Sequence, residues 1–85
     1  VELELKKQPR KYLASVDSAT RRKLENALEG LKELKGDIVR LSGTKNLFRL
    51  KIEHYRVLFS YSGGKIIIVD AIHTRTNMKY RRYQR

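Results

Sequence analysis

The apolar residues of this chain change period once, and that change decides what the chain can build. Leu24, Ala27, Leu28, Leu31 and Leu34 recur three and four residues apart, which is one stripe of a helix. Past Gly36 the spacing becomes two. Phe48, Leu50 and Ile52 alternate with Leu47, Arg49 and Lys51, and Tyr55, Val57, Phe59 and Tyr61 alternate with Arg56, Leu58 and Ser60. A helix with one apolar stripe and strands with one apolar face bury those surfaces against each other. The pattern predicts an α+β fold with helices on one face of a sheet.

The remaining elements follow from local signals. Val1, Leu3 and Leu5 alternate with Glu2, Glu4 and Lys6, a short strand. Pro9 suits a first helical turn, and Tyr12, Leu13 and Val16 follow at helical spacing. Ser15 to Ser18 is a break, with Asp17 or Ser18 as cap of the next helix. Gly36 ends that helix. Ser62-Gly63-Gly64-Lys65 reads as a hairpin turn, and Lys65 to Ile72 as a β-branched strand. The order is β-α-α-β-β-β, an N-terminal helical hairpin packed on an antiparallel sheet. With 85 residues, the expectation is a single domain over 1–85.

Composition excludes several classes. Cysteine is absent, so disulfides, thiolate metal sites and cysteine nucleophiles are excluded. No run of 18 apolar residues exists, so no transmembrane helix or membrane partner is expected. The opening Val1-Glu2-Leu3-Glu4-Leu5 lacks the pattern of a signal peptide, so a cytoplasmic location is expected. Two His and no acidic cluster do not make a metal ligand set, and no cofactor is expected.

Charge points to a polyanion. The chain holds 20 Lys and Arg against 9 Asp and Glu, a net charge of +11. Such an excess is self-repulsive until something anionic relieves it. From His73 onward there are five cations and no acid, interleaved with Tyr80 and Tyr83. Basic residues attract phosphate and rings stack on bases, so Lys79, Arg81, Arg82 and Tyr83 are expected to bind RNA. A solvated basic terminus is the plain alternative.

A two-residue turn at Glu53-His54 pairs Ile52 with Tyr55 and sets Lys51 opposite Arg56. Continuing the ladder from a Ser62–Lys65 pair sets Phe59 against Ile68, Arg56 against Ala71 and His54 against His73. One face then collects Phe48, Leu50, Ile52, Tyr55, Val57, Phe59, Tyr61, Ile66, Ile68 and Ile72 toward the helices. The other collects Arg49, Lys51, Arg56, Ala71 and His73, with Leu58, Ile67 and Val69 further along. Ala71 leaves room for a ligand group beside Arg56. Like charges facing each other in a sheet cost roughly 0.2–1 kcal/mol per pair. An anion bound there removes that cost. A solvated face whose cations blunt aggregation is the other reading.

The run Leu41-Ser42-Gly43, then Asn46-Leu47-Phe48-Arg49-Leu50-Lys51-Ile52, then Tyr55-Arg56-Val57-Leu58-Phe59 resembles the RelE/ParE superfamily of toxins from type II toxin–antitoxin systems. The ending His73, Arg75, Asn77 and Tyr80 resembles the RelE branch. The resemblance covers the whole chain in element order and is most specific from Leu41 to Tyr80. It implies a metal-independent endoribonuclease that enters the ribosomal A site and cuts the codon there. The 2′-hydroxyl attacks the adjacent phosphorus and leaves a 2′,3′-cyclic phosphate. It also implies a cognate antitoxin, with mRNA and ribosomal RNA as further partners.

By position, the resemblance implies Arg49, Lys51, Arg56, Arg75 and Tyr80 as catalytic residues. Lys51 and Arg56 would stabilise charge on the phosphate. Tyr80 would stack on a base or orient the 2′-hydroxyl, and Arg75 would bind phosphate or assist the leaving group. Arg49 stands where that branch has a lysine proposed as general base, and arginine stays protonated at any ordinary pH. His73 is the alternative base, because its unperturbed pKa lies near 6.5. His54 reads as an exposed loop residue. The antitoxin segment is expected on the helices or the sheet, with Leu58, Ile67 and Val69 as one possible landing site. The competing functions are a ParE-like inhibitor of DNA gyrase and a non-catalytic RNA- or ribosome-binding module.

Overall fold

The computed structural model describes residues 1–83. In chain order its elements are β1 (Glu2–Leu5), α1 (Lys7–Ser15), α2 (Ser18–Leu31), β2 (Asp37–Arg40), β3 (Leu47–Ile52), β4 (Tyr55–Ser60), β5 (Ile66–Thr74) and a 3-10 turn at Tyr80–Arg82. The sheet runs β1-β5-β4-β3-β2. Strands β2 to β5 are antiparallel neighbours, and β1 joins the β5 edge in parallel. The α+β class and the helical hairpin stand as expected, and the sheet is mixed with one further edge strand, β2. Among the described residues no helix is long and apolar enough to cross a membrane.

Local chemistry explains the helix boundaries. Pro9 lies in the first turn of α1, where its missing N–H breaks no ladder bond. Asp17 caps α2: its carboxylate accepts from the Thr20 backbone N–H at 3.3 Å and from the Thr20 hydroxyl. That bonding holds the Asp17 carboxyl below its ordinary pKa, the hydroxyl bond contributing most. The helix stops at Leu31, earlier than the Leu34 stripe implies. Leu34 takes a left-handed conformation, φ 56°, and its side chain stays exposed. Gly36, at φ 134°, lets the chain turn into β2 close against Leu50. A Cβ there would stand 2.6 Å from Leu50 Cδ1.

The core lies between the helices and one sheet face. Leu13, Leu24, Leu28 and Leu31 pack against Leu50, Val57, Phe59, Ile67, Val69 and Ile72. Phe48 and Phe59 stack with centroids 5.4 Å apart. A smaller cluster of Leu58, Ala71 and Met78 forms on the opposite face, covered by Leu41, Leu47, Tyr80 and Tyr83.

Register corrects the expected assignment of β5. The β4–β5 connection takes residues 61–65 rather than a tight turn, so Phe59 pairs with Val69 and Ser60 with Ile68. A bulge then leaves Asp70 unpaired and shifts the ladder once more: Leu58 faces Ala71, and Arg56 faces His73. Arg56 therefore does not face Ala71, nor His54 face His73. Ile67 and Val69 fill the helix-side core, while Ile66 is exposed and Ile68 half-buried. Leu58, Ile67 and Val69 are each fully buried and offer no landing site to a partner. The room expected beside Ala71 is taken by Met78.

Candidate functional site

Strands β3, β4 and β5 carry a row of polar side chains on the face away from the helices. In the β3–β4 ladder, Arg49 stands opposite Leu58 and Lys51 opposite Arg56. Across β4–β5, Arg56 stands opposite His73. Lys51, Arg56 and His73 thus form one line across three strands, spanning about 10 Å at ordinary strand spacing. The tight Glu53-His54 turn fixes this register, with Ile52 paired to Tyr55. Glu53 adopts φ 53° there, and its carboxylate bonds Lys23 of α2 at 2.9 Å. The acid nearest the row in sequence is thereby paired with a helix cation.

Arg56 is held by its own turn. Its Nη1 donates to the carbonyls of Glu53 and Tyr55, each at 2.8 Å. None of Arg49, Lys51, Arg56, Arg75, Lys79, Arg81 and Arg82 enters an ion pair among the described residues. The charge of this face is left uncompensated.

The tail folds back over the same face. Arg75 is exposed, and its backbone N–H donates to the His54 carbonyl at 2.7 Å, which ties the end of β5 to the β3–β4 turn. Met78 N–H bonds the Thr74 carbonyl, turning the chain back so that Met78 lies on Leu58 and Ala71. Tyr80 then packs on that cluster. Its hydroxyl is buried and has no hydrogen-bond partner among the described residues. Burial raises its pKa, opposed by the positive charges of Arg49 and Arg56. Lys79, Arg81 and Arg82 are exposed around it, and Tyr83 is half-buried on the same cluster. Arg85, part of the basic tail, lies outside the described residues.

His73 sits where the row meets α1. Its ring meets Tyr12 edge-on at 6.1 Å, and its Nε2 lies 3.4 Å from Gln8 Nε2. Burial lowers its pKa, and the charge of Arg82 lowers it further. Both influences favour the neutral imidazole. His54 is exposed and stacks at a tilt beside Tyr55. Among the described residues no three His, Asp or Glu side chains gather closely enough to hold a metal ion.

Gln8 and Met78 escaped the sequence reading. The Gln8 amide accepts from Ile72 N–H at 2.8 Å and donates to Ile72 C=O at 2.7 Å. It replaces a strand at the stretch of β5 that β1 does not reach. A glutamine on a helix gives no sign of such a role, because its partner lies 64 residues away.

Comparison with known proteins identifies the fold. No protein-family model matches the chain, and no curated protein does. Solved structures do. The archaeal RelE–RelB complex from Pyrococcus horikoshii OT3 contains a chain 24% identical at TM-score 0.71, over 91% of this chain and 97% of that one. The RelB–RelE antitoxin–toxin complex from Methanococcus jannaschii matches at 22% identity and TM-score 0.66, over 89% and 92%. The isolated E. coli RelE toxin matches at 18% identity and TM-score 0.70, over 86% and 82%. This chain has a RelE-like toxin fold.

Proposed function

We propose that this protein is the toxin of a type II toxin–antitoxin pair and cuts mRNA in the ribosomal A site. The observation that carries the reading is the line of Lys51, Arg56 and His73 on the helix-free face, with Tyr80 packed on the Leu58–Ala71–Met78 cluster, its hydroxyl buried and without a partner among the described residues. A scissile phosphate on this line would meet two or three uncompensated cations. Cleavage by the 2′-hydroxyl needs that charge, because the pentavalent phosphorane gains negative charge as the new bond forms.

The step balances without any added reactant. The 2′-oxygen bonds the adjacent phosphorus while the P–O5′ bond breaks, leaving a 2′,3′-cyclic phosphate and a 5′-hydroxyl. The 2′-hydroxyl proton goes to a base, and an acid returns one to the 5′-oxygen. Lys51 and Arg56 hold the phosphate. Arg49 is a permanent cation and adds charge rather than taking the proton. His73 is the neutral group on the row and is the base in this scheme. Tyr80 orients the 2′-hydroxyl or stacks on a base, and Arg75, at the open end of the face, serves the leaving oxygen. Lys79, Arg81, Arg82 and Tyr83 extend the surface toward ribosomal RNA.

A cognate antitoxin is the expected protein partner. Support comes from the similar structures solved as RelE–RelB complexes. A cytoplasmic site of action follows from the ribosomal target.

The test is purified protein added to ribosomes programmed with a defined mRNA, read by primer extension. The expected result is new 5′ ends within the A-site codon, carrying a 5′-hydroxyl. Absence of cleavage, or 5′-phosphate ends, would overturn the reading. The permanent charge of Arg49 favours one rival, a module that binds RNA or the ribosome without cutting. It would arrest translation in the same assay and leave the message whole. A gyrase inhibitor of the ParE kind would instead block supercoiling of plasmid DNA.

A further inference from the structure

Helix α1 carries Lys7, Arg10 and Lys11 and no acid. All three are exposed, and none is ion-paired among the described residues. Their placement is unfavourable in isolation. Lys7 stands at the positive end of the helix dipole, and Lys7 and Lys11 repel each other one turn apart. Beside them lies an open groove of about 570 Å³, lined by Lys7, Gln8, Lys11, Tyr12 and Ser15. Two lysines, an aromatic wall and two uncharged polar groups suit a strand that is anionic along its backbone and aromatic in its bases.

The groove continues the row on the sheet. Gln8 and Tyr12, two of its lining residues, are the neighbours of His73, which faces Arg56. Lys7 and Lys11 lie about 6 Å apart along the helix axis, on the order of one nucleotide of extended strand.

We propose that the α1 groove is a second RNA subsite, which holds single-stranded nucleotides flanking the linkage gripped at Lys51 and Arg56. Lys7 and Lys11 take successive phosphates, and Tyr12 forms the wall against which a base lies. The inference rests on the sheet face being an RNA site, and it adds a direction: the strand leaves that face across His73 toward α1.

The test uses binding rather than cleavage, so it is independent of catalysis. A decanucleotide and a tetranucleotide, both 2′-O-methylated throughout and therefore uncleavable, are titrated against the protein by fluorescence anisotropy across a salt series. Lys7→Ala with Lys11→Ala is compared with Lys45→Ala with Lys65→Ala, which removes the same charge at the far end of the sheet. The α1 pair is expected to weaken decanucleotide binding about tenfold and to reduce the salt slope by about 1.4. Tetranucleotide binding should follow the control pair. Equal losses in both pairs, or an undiminished decanucleotide affinity, would overturn the subsite.

A second measurement needs no variant. With 4-thiouridine at one or the other terminus of the decanucleotide, photocrosslinking is expected to label the peptide spanning residues 7–15 from one terminus. Labelling confined to the C-terminal tail would refute the path. Failure of ribosomal cleavage alongside a positive crosslink would sink the nuclease reading alone.

Discussion

Lys51 on β3 and Arg56 on β4 face each other directly in the antiparallel ladder, two cations at a position where a sheet ordinarily places opposite charges or apolar pairs. Removing either relieves repulsion of roughly 0.2–1 kcal/mol. Arg56→Ala also gives up two bonds to turn carbonyls. The two effects oppose each other, so the urea midpoint should stay close to that of the parent. Ribosomal cleavage by Arg56→Ala should fall by about 10²–10³-fold, the usual effect of losing one transition-state charge contact. A collapse of the unfolding transition would instead make Arg56 a structural residue.

Tyr80 presents a related opposition between stability and activity. A buried hydroxyl without a partner costs about 1–3 kcal/mol, and that of Tyr80 has none among the described residues. Tyr80→Phe should therefore raise stability, by about 1 kcal/mol, seen as a higher thermal midpoint. The same variant should cut more slowly. A loss of stability would mean the hydroxyl is bonded in the folded protein.

The pH dependence of stability follows from His73. Its folded pKa lies below the ordinary value near 6.5, because of burial and then Arg82. Between the two values the unfolded chain binds more protons than the folded one, so stability rises with pH in that window. On acidification, unfolding free energy should fall from about pH 6.5 downward and level off once the folded imidazole also takes its proton. His73→Gln should flatten this leg of a urea-midpoint profile. An unchanged profile would contradict the assignment.

Gln8 holds β5 by both bonds of its amide to Ile72. Gln8→Ala leaves a part-buried N–H and C=O without that partner and should cost about 1–3 kcal/mol. Amide exchange at Ile72 should accelerate more than at Val57, which pairs with Ile72 from the neighbouring strand. Equal acceleration would indicate global destabilisation in place of a local one.

The helix stripe and the strands of the first hairpin were legible because their apolar residues keep one period, and because a two-residue turn leaves no freedom of register. The Lys51–Arg56 pairing followed from that turn alone. Strand β5 was not legible. Ile66, Ile67, Ile68 and Val69 are apolar at both parities, so alternation is silent on which residues face the helices. A longer connection and the unpaired Asp70 then each displaced the ladder by one residue. Edge strand β2 was missed because four residues with two apolar side chains barely show a period. The polar row itself could be read from alternating cations. Its junction with Gln8 and Tyr12 could not, since it joins residues more than sixty positions apart across two layers.

The unpaired residue of β5 has a consequence for how this strand can vary. Asp70 is clasped by the Ser60 hydroxyl at 2.6 Å and the Lys6 ammonium at 2.8 Å, so the phase slip is anchored by two neighbouring strands' worth of chain. Deleting Asp70 itself would only close the bulge, whereas deleting the paired Ala71 beyond it would rotate everything after by half a pleat, driving an imidazole among leucines and baring Ile72 to water. Past the bulge, the number of residues in β5 is thus under as tight a constraint as their chemistry, and length changes there should be rejected where point substitutions are tolerated.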